Sequence, residues 1–300
     1  MKLRQVLGNT WVLEGYELIP LYKTDSGHCI LLDTGLEEER GAIEAALHTA
    51  GLLPVGILGT HIHNDHSPNH RYFQEKYRIP LALPFGEAGL CASILSLKAY
   101  LFMLSPDTTA AELGSMVCRA DVLISGTDDS ILFCGAEFQI LHTPGHSPDH
   151  ISLITPDNIC YVGDALLDDF TAKLPYSFSQ RHCMESMERL RSLACPRYIL
   201  AHRGVYNEIA SLIDSNSAMI RDRAARIAAL ADHPMTMDEL TSAVCRQFSL
   251  LSSSPQKAAL FERNVRSFVE FLLDSGALIM TVSNGMRYYR SVETDGDGHA

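Results

Sequence analysis

The chain has 300 residues, 46% hydrophobic and 20% charged, with 24 Lys+Arg against 36 Asp+Glu for a formal net charge of -12. That length suits two domains, and that apolar content supports a real core, which excludes disorder for most of the chain. So acidic a balance repels phosphate backbones and anionic lipid, which argues against nucleic acid and membrane surfaces as partners.

Residues 1–15 (MKLRQVLGNTWVLEG) hold two early basic residues but no apolar stretch leading to a small-residue cleavage site, so no signal peptide is expected. Residues 11–24 read as two strands with a turn. His28–Leu32 is a buried strand ending at Asp33-Thr34-Gly35, a turn signal. A helix is predicted over 37–50, with Ile43, Ala46 and Leu47 on one side and Gly51 closing it. Residues 55–58 form the next buried strand, 69–78 a helix and 80–83 a short strand. Residues 87–104 then predict one helix that is apolar almost all round, with a second short helix over 108–116. This insertion, residues 87–117, reads as a core or dimer helix, or as a hydrophobic lid placing Leu97, Tyr100, Leu101, Phe102 and Met103 on substrate. Strands follow at 122–124, 130–133, 138–142, 151–154 and 159–162, then a helix at 182–193 and a strand at 198–201. That order predicts two sheets with helices outside.

The rest changes character. A long helical pattern covers 206–231. Thr236-Met237-Asp238-Glu239 fits a capping box, and Ser254-Pro255 opens a helix running to Asp274 and stopped by Gly276. Strands at 277–281 and 286–289 flank Asn284-Gly285, a hairpin signal. The tail, 291–300, is polar and expected to be loose. Three helices and a hairpin are the order of a winged helix. Residues 205–300 nevertheless hold nine Lys+Arg against twelve Asp+Glu, which is not a DNA-reading surface. A domain that packs on the catalytic part or on a second copy is expected instead, so a homodimer would form through it or through the apolar insertion. The eight cysteines make no C-x-x-C pair and read as reduced thiols. The longest apolar run is too short for a bilayer, and the cytoplasm is the expected location.

The 13 histidines are the unusual figure. His61-Ile62-His63-Asn64-Asp65-His66 follows a buried strand, where alternate residues point the same way, so His61 and His63 can converge on one ion. Asp65 and His66 can turn to a second position as the loop curls. Three more strand ends stop at candidate ligands: His146 in Thr143-Pro144-Gly145-His146, Asp164 after Gly163, and His202 after Ala201. Each alone is weak; in this order they point to metals.

The pattern H-x-H-x-D-H, then a distant His in a TPGH-like turn, then a strand-end Asp and a strand-end His, resembles the metallo-β-lactamase-fold hydrolases. The likeness covers about residues 1–205, leaving 206–300 as a winged-helix-like domain, as in the branch with the mitochondrial lactamase-like endoribonuclease and glyoxalase II-type hydrolases. It implies an α/β fold, an αββα sandwich with metals at one edge of the sheets. It implies His61, His63 and His146 on a first metal, Asp65, His66 and His202 on a second, and Asp164 bridging. Such donors suit two Zn²⁺ per chain, with iron or manganese fitting the same set.

Departures bear on the substrate. Ser67-Pro68-Asn69-His70 stands where the family often has Gly-Gly, and His70 reads as a helix-start residue rather than a further ligand. His150 is expected to orient its turn. Arg203, beside His202, reads as a clamp for carboxylate or phosphate or as a surface residue. Tyr100, Phe102, Tyr176 and Tyr206 are further candidates for substrate contact. The resemblance implies a binuclear hydrolase in which a hydroxide shared by two ions attacks an ester, thioester or lactone of a small molecule, with Asp65 also able to accept a proton. The alternative is an endoribonuclease or phosphodiesterase on single-stranded RNA or a nucleotide, and β-lactam cleavage ranks lower.

Overall fold

The computed structural model describes residues 1–101, 105–167, 174–202 and 204–292. Two compact units result: residues 1–168 with 182–213, and residues 169–181 with 214–300.

In the first unit a seven-stranded sheet takes its strands in chain order. They are β1 (Lys2–Leu7), β2 (Thr10–Glu14), β3 (Leu18–Lys23), β4 (His28–Leu32), β5 (Leu53–Leu58), β6 (Leu81–Pro84) and β7 (Val122–Ile124). The first four are antiparallel and the last four parallel, joined by α1 (Arg40–Thr49), α2 (His70–Tyr77), α3 (Phe85–Cys91), α4 (Ile94–Leu101) and α5 (Pro106–Leu113). The second sheet holds β8 (Ser130–Phe133), β9 (Ala136–His142), β10 (Ile151–Ile154), β11 (Ile159–Gly163), β12 (Arg197–Leu200) and β13 (Gly204–Tyr206), with α6 (Gln180–Arg191) between β11 and β12.

Strand periodicity sorts the core into two layers. On β4, Ile30 and Leu32 join Val12, Phe138, Leu153, Tyr161 and Ile199 between the sheets. Cys29 and Leu31 face the other way, against Ile43 and Leu47 of α1, Phe73 of α2 and Leu97 of α4. A strand buried on both faces needs the unbroken apolar run HCILL rather than alternation. Helix, sheet, sheet and helix is the expected sandwich.

The helix expected over 87–104 is instead broken. Ser93 stands between α3 and α4, and its hydroxyl accepts the Ser96 N–H at 3.1 Å, so it caps the start of α4. Leu97 is buried in the core beneath the first sheet rather than turned to substrate. Phe102 and Met103 lie outside the described residues. The strands β1 and β13 go beyond the sequence expectation.

The second unit runs from α7 (Ala210–Leu230), within which the division falls, through α8 (Met237–Gln247) and α9 (Pro255–Asp274) to the hairpin of β14 (Leu278–Ser283) and β15 (Met286–Ser291). Thr236 and Glu239 form the expected reciprocal capping box, and Ser254 caps α9 ahead of Pro255. Asn284 and Gly285 adopt φ of 51° and 76°, the turn that two-residue hairpins need. All eight cysteines are free thiols. No described helix is long and apolar enough to cross a membrane.

Candidate metal centre

Strand ends deliver the polar side chains. Asp33, one residue past β4, is fully buried and takes four donors: Thr60 N–H at 2.8 Å and Thr60 Oγ1 at 2.7 Å, Tyr161 OH at 2.9 Å and His66 Nδ1 at 3.0 Å. Burial works to raise its pKa, but the hydrogen bond and charge of His66 outweigh it and hold Asp33 below the usual carboxylate range. The same network fixes the imidazoles. Thr60 gives its one hydroxyl proton to Asp33, so His61 Nδ1, 2.9 Å from Thr60 Oγ1, must be the donor there. His66 gives its Nδ1 proton to Asp33. Each ring, when neutral, therefore turns a bare Nε2 to the site.

Two groups of donor atoms face each other. In the first, His63 Nδ1 lies 3.0 Å from His61 Nε2 and 2.8 Å from His146 Nε2. In the second, His202 Nε2 lies 3.4 Å from Asp65 Oδ2, and His66 Nε2 lies 4.0 Å from Asp65 Oδ1. Asp164 touches both: its Oδ2 is 3.2 Å from His146 Nε2 and 3.3 Å from His202 Nε2, and its Oδ1 is 3.4 Å from His66 Nε2. All seven ligand candidates read from the sequence are thus brought together, in sets of His61, His63, His146 and of Asp65, His66, Asp164, His202. His66 Nε2 and Asp164 Oδ1 are buried without a hydrogen-bond partner. Imidazole nitrogens and carboxylate oxygens gathered this closely in a buried site fit cations.

The charges agree. Burial and neighbouring imidazoles push His61 well below its ordinary value, and burial lowers His146. His66 and His202 run the other way: burial disfavours their charge, but Glu17, Asp164 and Asp65 around His66, and Asp164 beside His202, raise them. Without metal, a raised histidine adds stability that is fully present below about pH 6.5 and is lost as pH rises through the raised value. Metal binding has the opposite sign, because ligands must shed protons. The Tm of chelator-stripped protein should therefore fall from about pH 6.5 upward, while the Tm gain on adding metal grows. Scanning fluorimetry across pH measures both; a gain independent of pH would contradict the assignment.

Two side chains that sequence reasoning missed hold the loops in place. Glu87, buried in the first turn of α3, accepts Ile62 N–H at 2.9 Å, Ser147 OH at 2.7 Å and Asp149 N–H at 2.9 Å. It ties the His61–His63 loop to the His146 loop. Glu17, buried between β2 and β3, sits 3.0 Å from His66 Nε2. A glutamate opening a buried strand was the available signal for Glu17.

His150 behaves as expected. Its Nδ1 lies 2.8 Å from Thr143 Oγ1 and its Nε2 accepts Asp164 N–H at 3.2 Å, while burial and His146 push its pKa down to about 3. Gly163 makes room for it: φ is +58°, and a Cβ would lie 2.7 Å from His150 Nε2. His70 opens α2, with Nδ1 2.9 Å from Thr34 Oγ1, and lies in neither donor group.

The expected substrate residues scatter. Tyr100 sets its hydroxyl 3.2 Å from His63 Nε2, which turns His63 Nδ1 toward the first group. Tyr176 belongs to the second unit, under the Arg263 guanidinium at 5.0 Å. Tyr206 pairs across from Tyr198 on β12. Arg203 lies outside the described residues.

The family model described as the metallo-beta-lactamase superfamily matches residues 5–202. A hydroxyacylglutathione hydrolase of Xylella fastidiosa (strain M12) is 25% identical over 220 residues, 71% of this chain and 72% of that protein. A metallo-beta-lactamase family protein from Thermus thermophilus superposes with a TM-score of 0.70 at 22% identity, covering 91% of this chain and 93% of the other. A beta-lactamase domain protein from Burkholderia ambifaria gives 0.73 at 18%, covering 97% and 93%.

Proposed function

The chain belongs to the metallo-beta-lactamase superfamily, and from that premise we propose that this metal-dependent hydrolase uses two ions to cleave a small ester, thioester or lactone. The observation that carries it is Asp164, whose Oδ2 lies within 3.3 Å of both His146 and His202 and so links the two donor groups. In this reading His61, His63 and His146 would hold one ion and Asp65, His66 and His202 the other, with Asp164 available to both. Zinc suits the three-imidazole group. Two ions so placed supply a nucleophile at neutral pH and take up the charge that develops on the substrate oxygen.

The chain's own residues do the rest. Asp33 and Thr60 hold the His66 and His61 tautomers. Tyr100 fixes the His63 ring. Asp65 has one oxygen 3.4 Å from His202 and the other 4.0 Å from His66, so it can hold a proton on the looser oxygen and pass it to the leaving group. An acyl substrate is favoured over RNA by the net charge of -12, and the relative named for hydroxyacylglutathione, a thioester, supports the same choice.

The test is a panel of thioesters, esters, lactones and phosphodiesters on metal-loaded enzyme. Turnover of one acyl class, unaffected by salt, is expected; turnover confined to RNA, falling steeply with ionic strength, would replace this reading. Metal analysis should find close to two ions per chain. His146→Ala should abolish that turnover and leave the circular dichroism spectrum unchanged; wild-type turnover by H146A would remove His146 from the centre.

A further inference from the structure

The seven ligand candidates are not equally reachable. His61 and His66 are fully buried, and the side chains of His146 and Asp164 are nearly so. Solvent meets the centre at Asp65 and His202, whose side chains are 21% and 30% exposed, and at the half-buried His63. A substrate therefore reaches the centre across these three side chains. A tyrosine borders two of them. Tyr100, half-buried, sets its ring nearly parallel to His63 at 6.4 Å. Tyr16 meets His202 edge-on at 5.8 Å, with the planes at 79°, and is itself 66% exposed.

One exposed aromatic ring is ordinary on a protein surface. Tyr16 differs in how firmly its backbone is held while the ring stays in solvent. Its N–H donates to Glu39 Oε1 at 2.7 Å, and Glu39 Oε2 accepts Leu36 N–H at 3.3 Å. On the other side, Leu18 N–H donates to Ala201 O at 2.6 Å, one residue before His202. Gly15 closes the turn with its N–H on Glu17 O at 3.1 Å, and a Cβ there would collide with Glu39 Oε1 and lie 2.7 Å from Met1 Cε. The turn is thus pinned from both flanks, one of them the loop that carries His202. A tyrosine so held has only two side-chain torsions left to order, which keeps the entropic cost of contact low.

We propose that Tyr16 is a substrate-contacting residue that favours acyl compounds with an aromatic or bulky apolar group next to the bond cleaved. Its ring forms the apolar wall of the mouth on the His202 side, and Tyr100 forms the wall on the His63 side. An aromatic group on the substrate can lie edge-to-face or offset against such a ring, which is worth more than the area it covers. The proposal deepens the hydrolytic reading above and rests on it.

The test measures kcat and KM of metal-loaded wild type, Tyr16→Phe and Tyr16→Ala on paired thioesters. One pair sets acetyl against phenylacetyl on the same thiol; the other sets ethyl against benzyl thiol with the same acyl group. The first probes the acyl side and the second the leaving-group side. In Y16A, kcat/KM for the aromatic member of one pair should fall about 3–10-fold, chiefly through KM. The smaller member should lose less, so the preference for the aromatic group narrows. Y16F keeps the ring and should keep the preference. Binding without turnover is read calorimetrically with phenylacetate and benzyl alcohol. The probe matching the affected pair should bind Y16A more weakly by a similar factor, with metal content and Tm unchanged. Equal losses on both members of each pair, or lower metal content in Y16A, would overturn the proposal and make the ring a support for His202. An aromatic preference unchanged in Y16A would also overturn it. These outcomes leave the hydrolytic reading intact, whereas a wild type that turns over no acyl compound would overturn both.

Discussion

Asp164→Ala is expected to lower kcat/KM for whichever substrate the hydrolase turns over by about a thousandfold or more, since an ion that polarises the substrate is worth several kcal/mol. The reason is position. Asp164 follows Gly163 at the end of β11, and its two oxygens reach His146, His202 and His66 at 3.2, 3.3 and 3.4 Å. Deleting the carboxylate removes a donor from both groups at once, so bound metal should fall below two ions per chain. Burial alone would raise the Asp164 pKa, but His66 and His146 hold it well below the usual range. A depressed carboxylate adds stability that is present above about pH 4 and lost as pH falls through the folded value. D164A should therefore also flatten the acid limb of metal-free unfolding. Steady-state kinetics, metal analysis and acid titration check the three parts. Turnover within tenfold of wild type, with two ions retained, would take Asp164 out of the centre.

How much of this was legible in the sequence depends on whether contacts were local. His61, His63, Asp65 and His66 lie within six positions after one strand, so the alternation of an extended backbone brings His61 and His63 together and the curl of the loop brings Asp65 and His66 to the second group. His146, Asp164 and His202 announced themselves by position, each just past an apolar run. The hairpin at Asn284-Gly285 and the caps at Thr236 and Ser254 were equally local. The supporting residues were not. Asp33 showed as a turn, but its work depends on His66, Thr60 and Tyr161, up to 128 positions away. Glu17 falls at the turn between two expected strands and Glu87 opens an expected helix, but their roles exist only once β3 meets the His202 loop and α3 meets two other loops. The break at Ser93 was missed for another reason: an apolar stretch carries the helix signal on both sides of it, and a serine reads as a cap only when the chain direction changes.

The prediction with the largest effect on stability concerns Glu87, which the sequence did not mark. Glu87→Ala should destabilise the first unit by about 3 kcal/mol or more, because each buried donor left without an acceptor costs about 1–3 kcal/mol. The three donors are Ile62 N–H, Ser147 OH and Asp149 N–H, on two loops far apart in the chain that nothing covalent joins nearby. Burial raises the Glu87 pKa, while these three hydrogen bonds oppose it by favouring the anion. The same carboxylate sets the distance between the loop bearing His61 and His63 and the loop bearing His146. Metal affinity at that position should therefore drop about 10–100-fold, the usual penalty when a residue that positions ligands is lost. Glu87→Gln keeps the shape and one acceptor but turns an amide N–H₂ toward donors, so it should fall between wild type and alanine in both measurements. Urea unfolding of metal-free protein reads the first effect and Zn²⁺ competition against a chelator reads the second. A loss under about 1 kcal/mol with unchanged Zn²⁺ affinity would mean that the two loops are held together by other contacts.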